Sequence, residues 1–112
     1  MMLDRQNEPL AADARILVVD DEPRLLESLV DLLEEHGFNA CPALGGRAAC
    51  ESLKKESFNL VMLDLRMPDV DGHAVMQFIQ DEKINVPVVV VSGESSFSAV
   101  SRALRRGAED YI

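Results

Sequence analysis

Three of the apolar runs in this chain end in residues that could do chemistry. Ile16 to Val19 leads into Asp20 and Asp21, Leu60 to Leu63 into Asp64, and Val88 to Val91 into Ser92. An aspartate that follows a strand ordinarily caps a helix or opens a turn. Three carboxylates delivered to one edge are different, because like charges at low dielectric repel and raise one another's pKa. Such a group calls for a cation. A hard divalent ion such as Mg²⁺ takes oxygen ligands, keeps part of its water shell and bridges carboxylate to phosphate, and its charge favours ionised Asp64. In "LVMLDLRMPDVDG", Pro68 fixes the chain and Gly72 is expected to permit a sharp turn. Backbone carbonyls near Arg66 could then face the ion instead of pairing in a ladder.

The elements that would position these residues follow from the hydrophobic period. Continuous runs rich in Val, Ile and Leu suit strands covered on both faces. Asn39 to Ala43 and Tyr111-Ile112 are weaker strand candidates, each following a helix stop, at Gly37 and Gly107. In "PRLLESLVDLLEEHG", Leu25, Leu29 and Leu32 share a face with Leu26, Val30 and Leu33, and Pro23 suits a first helical turn. Val75, Phe78 and Ile79 form the stripe of a later helix. Phe97, Val100 and Leu104 do so between about Ser96 and Arg106. Repeated strand–helix units of this length imply parallel strands joined by right-handed crossovers, an open α/β sheet. Ligands of such sheets bind at the carboxyl-terminal strand edge. Residues 1–14 are polar, carry Pro9 and are expected to form a mobile arm before a single domain over 15–112.

Composition narrows the function classes. The 112 residues suffice for one core, and 20 acidic against 11 basic residues give a net charge of -9. That balance argues against a nucleic-acid surface, which needs Lys and Arg in excess. No window approaches the about 18 apolar residues of a membrane span, and the start lacks a cationic segment followed by an apolar one. A cytoplasmic location is expected. Cys41 and Cys50 lack partners at zinc spacing and are expected to be reduced, partly buried thiols.

"ILVVDDEP", "LVMLDLRMPDVDG", "VPVVVVSGES" and "ALRRGAEDYI", in this order, resemble the receiver domain of bacterial two-component response regulators. The resemblance covers nearly everything from Arg15 onward. It implies a flavodoxin-like, doubly wound sheet of five parallel strands in the order 2-1-3-4-5. It also implies a signalling switch, rather than a conventional enzyme, that takes a phosphoryl group from a histidine kinase or phosphotransfer protein and controls an output domain or effector. By position, Asp64 matches the phosphoacceptor. Asp21 and Asp64 with the Arg66 carbonyl match the Mg²⁺ ligands, and Asp20 would act mostly through a metal-bound water. Ser92 matches the hydroxyl that meets the phosphoryl group, and Tyr111 the aromatic that changes rotamer on activation. Arg66 and Glu94 fall at the mouth that attacking water must cross, so they could set phosphoryl lifetime. The family's lysine and final helix would follow Ile112, which suggests a chain shortened at that end. An uncovered last strand invites association, so a dimer stays open; direct nucleic-acid or membrane binding is not expected.

Two competing readings are weaker. A haloacid-dehalogenase-like enzyme needs a second aspartate two residues after the nucleophile, where Arg66 stands. A pseudo-receiver that takes no phosphate fits poorly with intact Asp20, Asp21, Asp64 and Ser92, although the missing lysine keeps it in view. The remaining conspicuous residues have plainer readings. His36 and His73 lie near helix ends, and Arg102, Arg105 and Arg106 form a solvated face. Met62, Met67 and Met76 pack the core or a loop, while Asp69 and Asp71 serve the turn and the next helix start.

Overall fold

A computed structural model describes residues 14–91. Four strands, β1 (Arg15–Asp20), β2 (Asn39–Leu44), β3 (Leu60–Asp64) and β4 (Val88–Val91), alternate with α1 (Pro23–Glu35), α2 (Gly46–Lys55) and α3 (Gly72–Asp81). All pairings are parallel and the order is β2-β1-β3-β4. This matches the first four positions of the expected order. The expected fifth strand at Tyr111-Ile112, the helix over Ser96 to Arg106 and its three arginines, and residues 1–13 of the arm expected over 1–14 lie outside the described residues. Ala14, placed in that arm, is instead buried, and its carbonyl accepts the Asn39 N–H at 2.9 Å.

Alternation along each strand explains why helices cover both faces. Ile16, Val18, Leu60, Met62, Val89 and Val91 point one way and pack under Leu26, Leu29 and Leu33 of α1. Leu17, Val19, Val61 and Leu63 point the other way, against Ala49 and Leu53 of α2 and Val75 and Ile79 of α3. The expected helix faces hold: Leu25, Val30, Leu32 and Phe78 flank these cores as partly buried neighbours. Met62 and Met67 are buried and Met76 packs at the margin. Both cysteines are free and half-buried.

Local chemistry sets the helix ends. Pro23 begins α1, with the Glu22 side chain accepting from the Arg24 N–H. Gly37, at φ 89°, ends it as expected. The Phe38 and Gly37 N–H groups donate to the Leu33 and Glu34 carbonyls, satisfying acceptors the helix leaves over. His36 is exposed, and its Nδ1 lies 2.9 Å from the Leu32 carbonyl, a local capping contact. The same arrangement ends α3, but there the left-handed position is taken by Lys83, at φ 56°.

Candidate functional site

Register brings the carboxylates together. Val19 pairs with Leu63, so the next residues along, Asp20 on β1 and Asp64 on β3, end adjacent strands at the same level. Both fall on the face and edge where β1 turns into α1, and Asp21 follows in that turn. Ligand oxygens of Asp20, Asp21 and Asp64 all lie within 4.8 Å of one another. Asp20 is almost wholly buried and Asp64 half-buried. Asp20 Oδ1 accepts the Glu22 N–H at 2.9 Å, and Asp64 Oδ1 accepts the Arg66 N–H at 3.1 Å. Each aspartate thus folds the chain beyond it into a short turn that also orients its carboxylate.

Electrostatics leave this cluster short of positive charge. Burial raises the Asp20 pKa above its ordinary value; the Glu22 N–H opposes this, and the charges on Asp64 and Asp21 add to it. Burial likewise raises Asp64, with the Arg66 N–H opposing, the Asp21 carboxylate adding, and the Arg66 guanidinium opposing weakly. The one ion pair among the described residues, Arg15 with Glu56, involves the residue that opens β1, at the other edge of the sheet. Three oxygen donors, partly desolvated and mutually repelling, fit a hard divalent cation such as Mg²⁺.

The loop from Leu65 to Asp71 completes the site and corrects one expectation. Gly72 does not supply a positive-φ turn; the left-handed residue is Asp69, at φ 64°. Gly72 is needed for space, because a Cβ there would stand 2.6 Å from Leu65 Cα and 2.7 Å from the Asp64 carbonyl oxygen. The start of α3 therefore rests directly on the end of β3. Asp71 caps α3, accepting the Ala74 N–H at 2.9 Å, as expected of a helix start. Met67 anchors the loop in the core beneath it. Pro68 and Arg66 are exposed. His73 is exposed in the first turn of α3, near a helix end as expected. Ser92, Glu94 and Tyr111 lie outside the described residues. Sequence reasoning passed over Gly45 and Gly46, for which the only signal was a glycine pair directly after an edge strand.

A parallel α/β sheet with helices on both faces and an acidic cluster at its carboxyl-terminal edge places the chain in the class of open-sheet proteins that bind ligands at that edge. Within it, the model of the response regulator receiver domain matches residues 16–112, and the chain belongs to that family, the receiver domains of two-component systems. It is 37% identical over 97 residues to the transcriptional regulatory protein ZraR of Escherichia coli (strain K12), covering 87% of this chain and 22% of that protein. It is 38% identical over 98 residues to the probable transcriptional regulator ycf27 of Porphyridium aerugineum, covering 88% of this chain and 40% of that one. The chain thus spans less than half of these relatives. Among solved structures, response regulator TrrA from Thermotoga maritima in complex with Mg(2+)-BeF superposes with a TM-score of 0.71 at 30% identity, covering 88% of this chain and 84% of that one. The fold is therefore the flavodoxin-like receiver fold, here with four parallel strands among the described residues.

Proposed function

We propose that this receiver is a phosphorylation-controlled switch in which Asp64 accepts a phosphoryl group from the phosphohistidine of a histidine kinase or phosphotransfer protein. The observation that carries the reading is the convergence of Asp20, Asp21 and Asp64 within 4.8 Å at the sheet edge, with Asp64 at the head of the loop. A Mg(2+)-BeF complex of the similar receiver TrrA supports it. Mg²⁺, when bound, offsets the phosphoryl charge. Asp21 and Asp64 with the Arg66 carbonyl would hold it directly, and Asp20 through water. An Asp64 oxygen attacks phosphorus in line, the P–N bond breaks, and the histidine leaves with its electron pair and a proton from solvent. Ser92 and Tyr111 are assigned to sensing the phosphoryl group, and Arg66 with Glu94 to shielding it from water. The output would be a downstream domain or effector of the same cytoplasmic signalling system, in keeping with transcriptional regulators among the relatives.

The test is incubation of the chain with acetyl phosphate and Mg²⁺ followed by intact mass. One added phosphoryl group is expected, lost on adding EDTA beforehand and absent from Asp64→Asn. An unmodified wild-type mass, or an equal gain on Asp64→Asn, would overturn the acceptor assignment.

A further inference from the structure

Gly46 opens α2 and is buried, and it is not one of the three carboxylate residues of the cluster. A Cβ built on it would stand 2.1 Å from the Val70 carbonyl oxygen, 2.9 Å from the Val70 carbonyl carbon and 2.8 Å from Val70 Cγ1. The obstacle is backbone, so a side-chain rotation cannot clear it. Val70 belongs to the loop that starts at Asp64, and its side chain packs against the core beneath α2 and α3. The adjacent Gly45 N–H donates to the Asp20 backbone carbonyl at 2.9 Å. At the far end of the loop, Gly72 rests on Leu65 and the Asp64 carbonyl. A closed circuit results: Asp20 to the Gly45–Gly46 turn, that turn to Val70, and Val70 through Gly72 back to Asp64. Asp21, Gly45, Gly46, Asp69 and Val70 also line one open cavity of about 420 Å³, so the Gly46–Val70 contact and Asp21 border the same space.

We propose that Gly46 is a positioning residue for the acceptor site: by lacking a side chain it lets the loop seat on α2 and fixes the Arg66 backbone and Asp64 opposite Asp20 and Asp21. This rests on the assignment of that cluster as the Mg²⁺ and phosphoryl site. If Gly46 served packing alone, a methyl there would lower stability and leave the site unchanged. If it positions the loop, overfilling and underfilling the contact both disturb the carboxylates.

The experiment compares Gly46→Ala, Val70→Ala and, as a control, Gly37→Ala, whose left-handed turn lies between α1 and β2. In metal-free ¹H–¹⁵N spectra, Gly46→Ala is expected to shift the amides of Asp64 to Asp71 and Asp20 to Glu22. Gly37→Ala is not. Mg²⁺ affinity is expected to fall roughly 10- to 100-fold in Gly46→Ala, the range seen when groups that orient metal ligands are removed. It should fall in the same direction in Val70→Ala, which introduces no clash and guards against a misfolded Gly46→Ala, and stay unchanged in Gly37→Ala. Shifts confined to Gly45 to Arg47 with undiminished Mg²⁺ affinity, or a Val70→Ala chain binding Mg²⁺ like wild type, would overturn the proposal. A wild-type chain that binds Mg²⁺ but gains no phosphoryl mass, with the variants still weakened, would defeat the acceptor reading and sustain the positioning role.

Discussion

At the scale of single residues, the acidic cluster makes the metal-free protein less stable than its packing allows. Asp20 and Asp64 both hold protons more tightly when folded than at their ordinary value of 3.8. Between that value and the raised folded one, the folded state therefore binds more protons than the unfolded chain. Stability falls as pH rises through that window, and the penalty is fully present at neutral pH. Asp20→Asn, which keeps an oxygen to accept the Glu22 N–H, should accordingly raise the urea midpoint of the metal-free protein at pH 7. The gain should vanish in acid below the ordinary carboxylate value. A midpoint equally shifted at both pH values would show that the charge is not the cause. With Mg²⁺ held as proposed, protons would compete for the same oxygens, so the apparent Mg²⁺ affinity should weaken on acidification.

At the scale of elements, the helix ends identify where stability is held and where it is given up. Asp71→Ala removes the cap of α3 and should cost about 0.5–2 kcal/mol. Because Asp71 also closes the loop begun by Asp64, loss of stability and weaker Mg²⁺ binding should appear together. Lys83 occupies a left-handed position that costs an ordinary L-residue roughly 1–2 kcal/mol. Lys83→Gly should recover about half or more of that in a denaturant titration; no gain would mean the Lys83 side chain compensates at its surface. α1 ends with Glu34 and Glu35 and no basic residue in its last turn. Glu35→Lys should stabilise by about 0.3–1 kcal/mol at low salt, the gain shrinking as salt is added.

At the scale of the whole molecule, the carboxylate cluster proposed to hold Mg²⁺ forms only when β1 and β3 are in register. Mg²⁺ should therefore bind the folded state alone and stabilise it, by about 2.7 kcal/mol at 100 times its Kd. Thermal melts with and without MgCl₂ measure this, and Asp21→Asn should remove most of the shift. An unchanged shift would take Asp21 out of the ligand set. Leu33→Ala empties a fully buried position over the sheet and should cost about 2–5 kcal/mol. Its per-site Mg²⁺ affinity in the folded state should remain intact, since the core under α1 is separate from the loop that carries Arg66.

The sequence by itself determined the parallel α/β class, the four described strands to within a residue at each end, the buried stripes of α1 and α3 and the gathering of Asp20, Asp21 and Asp64. These follow from local period and from a carboxylate placed directly after an apolar run, where chain direction alone puts it on one edge. Gly37 was legible for the same reason, since a helix stop acts on its own neighbours. Tertiary structure decided the rest. Gly72 reads as a turn residue until α3 is seen resting on β3. Gly46 carries no local signal beyond the glycine pair it belongs to, because what excludes its side chain is the backbone of Val70, a segment distant in sequence. The side-chain period of a strand or helix is written along the chain, whereas the space left between two packed backbones exists only after both have been placed.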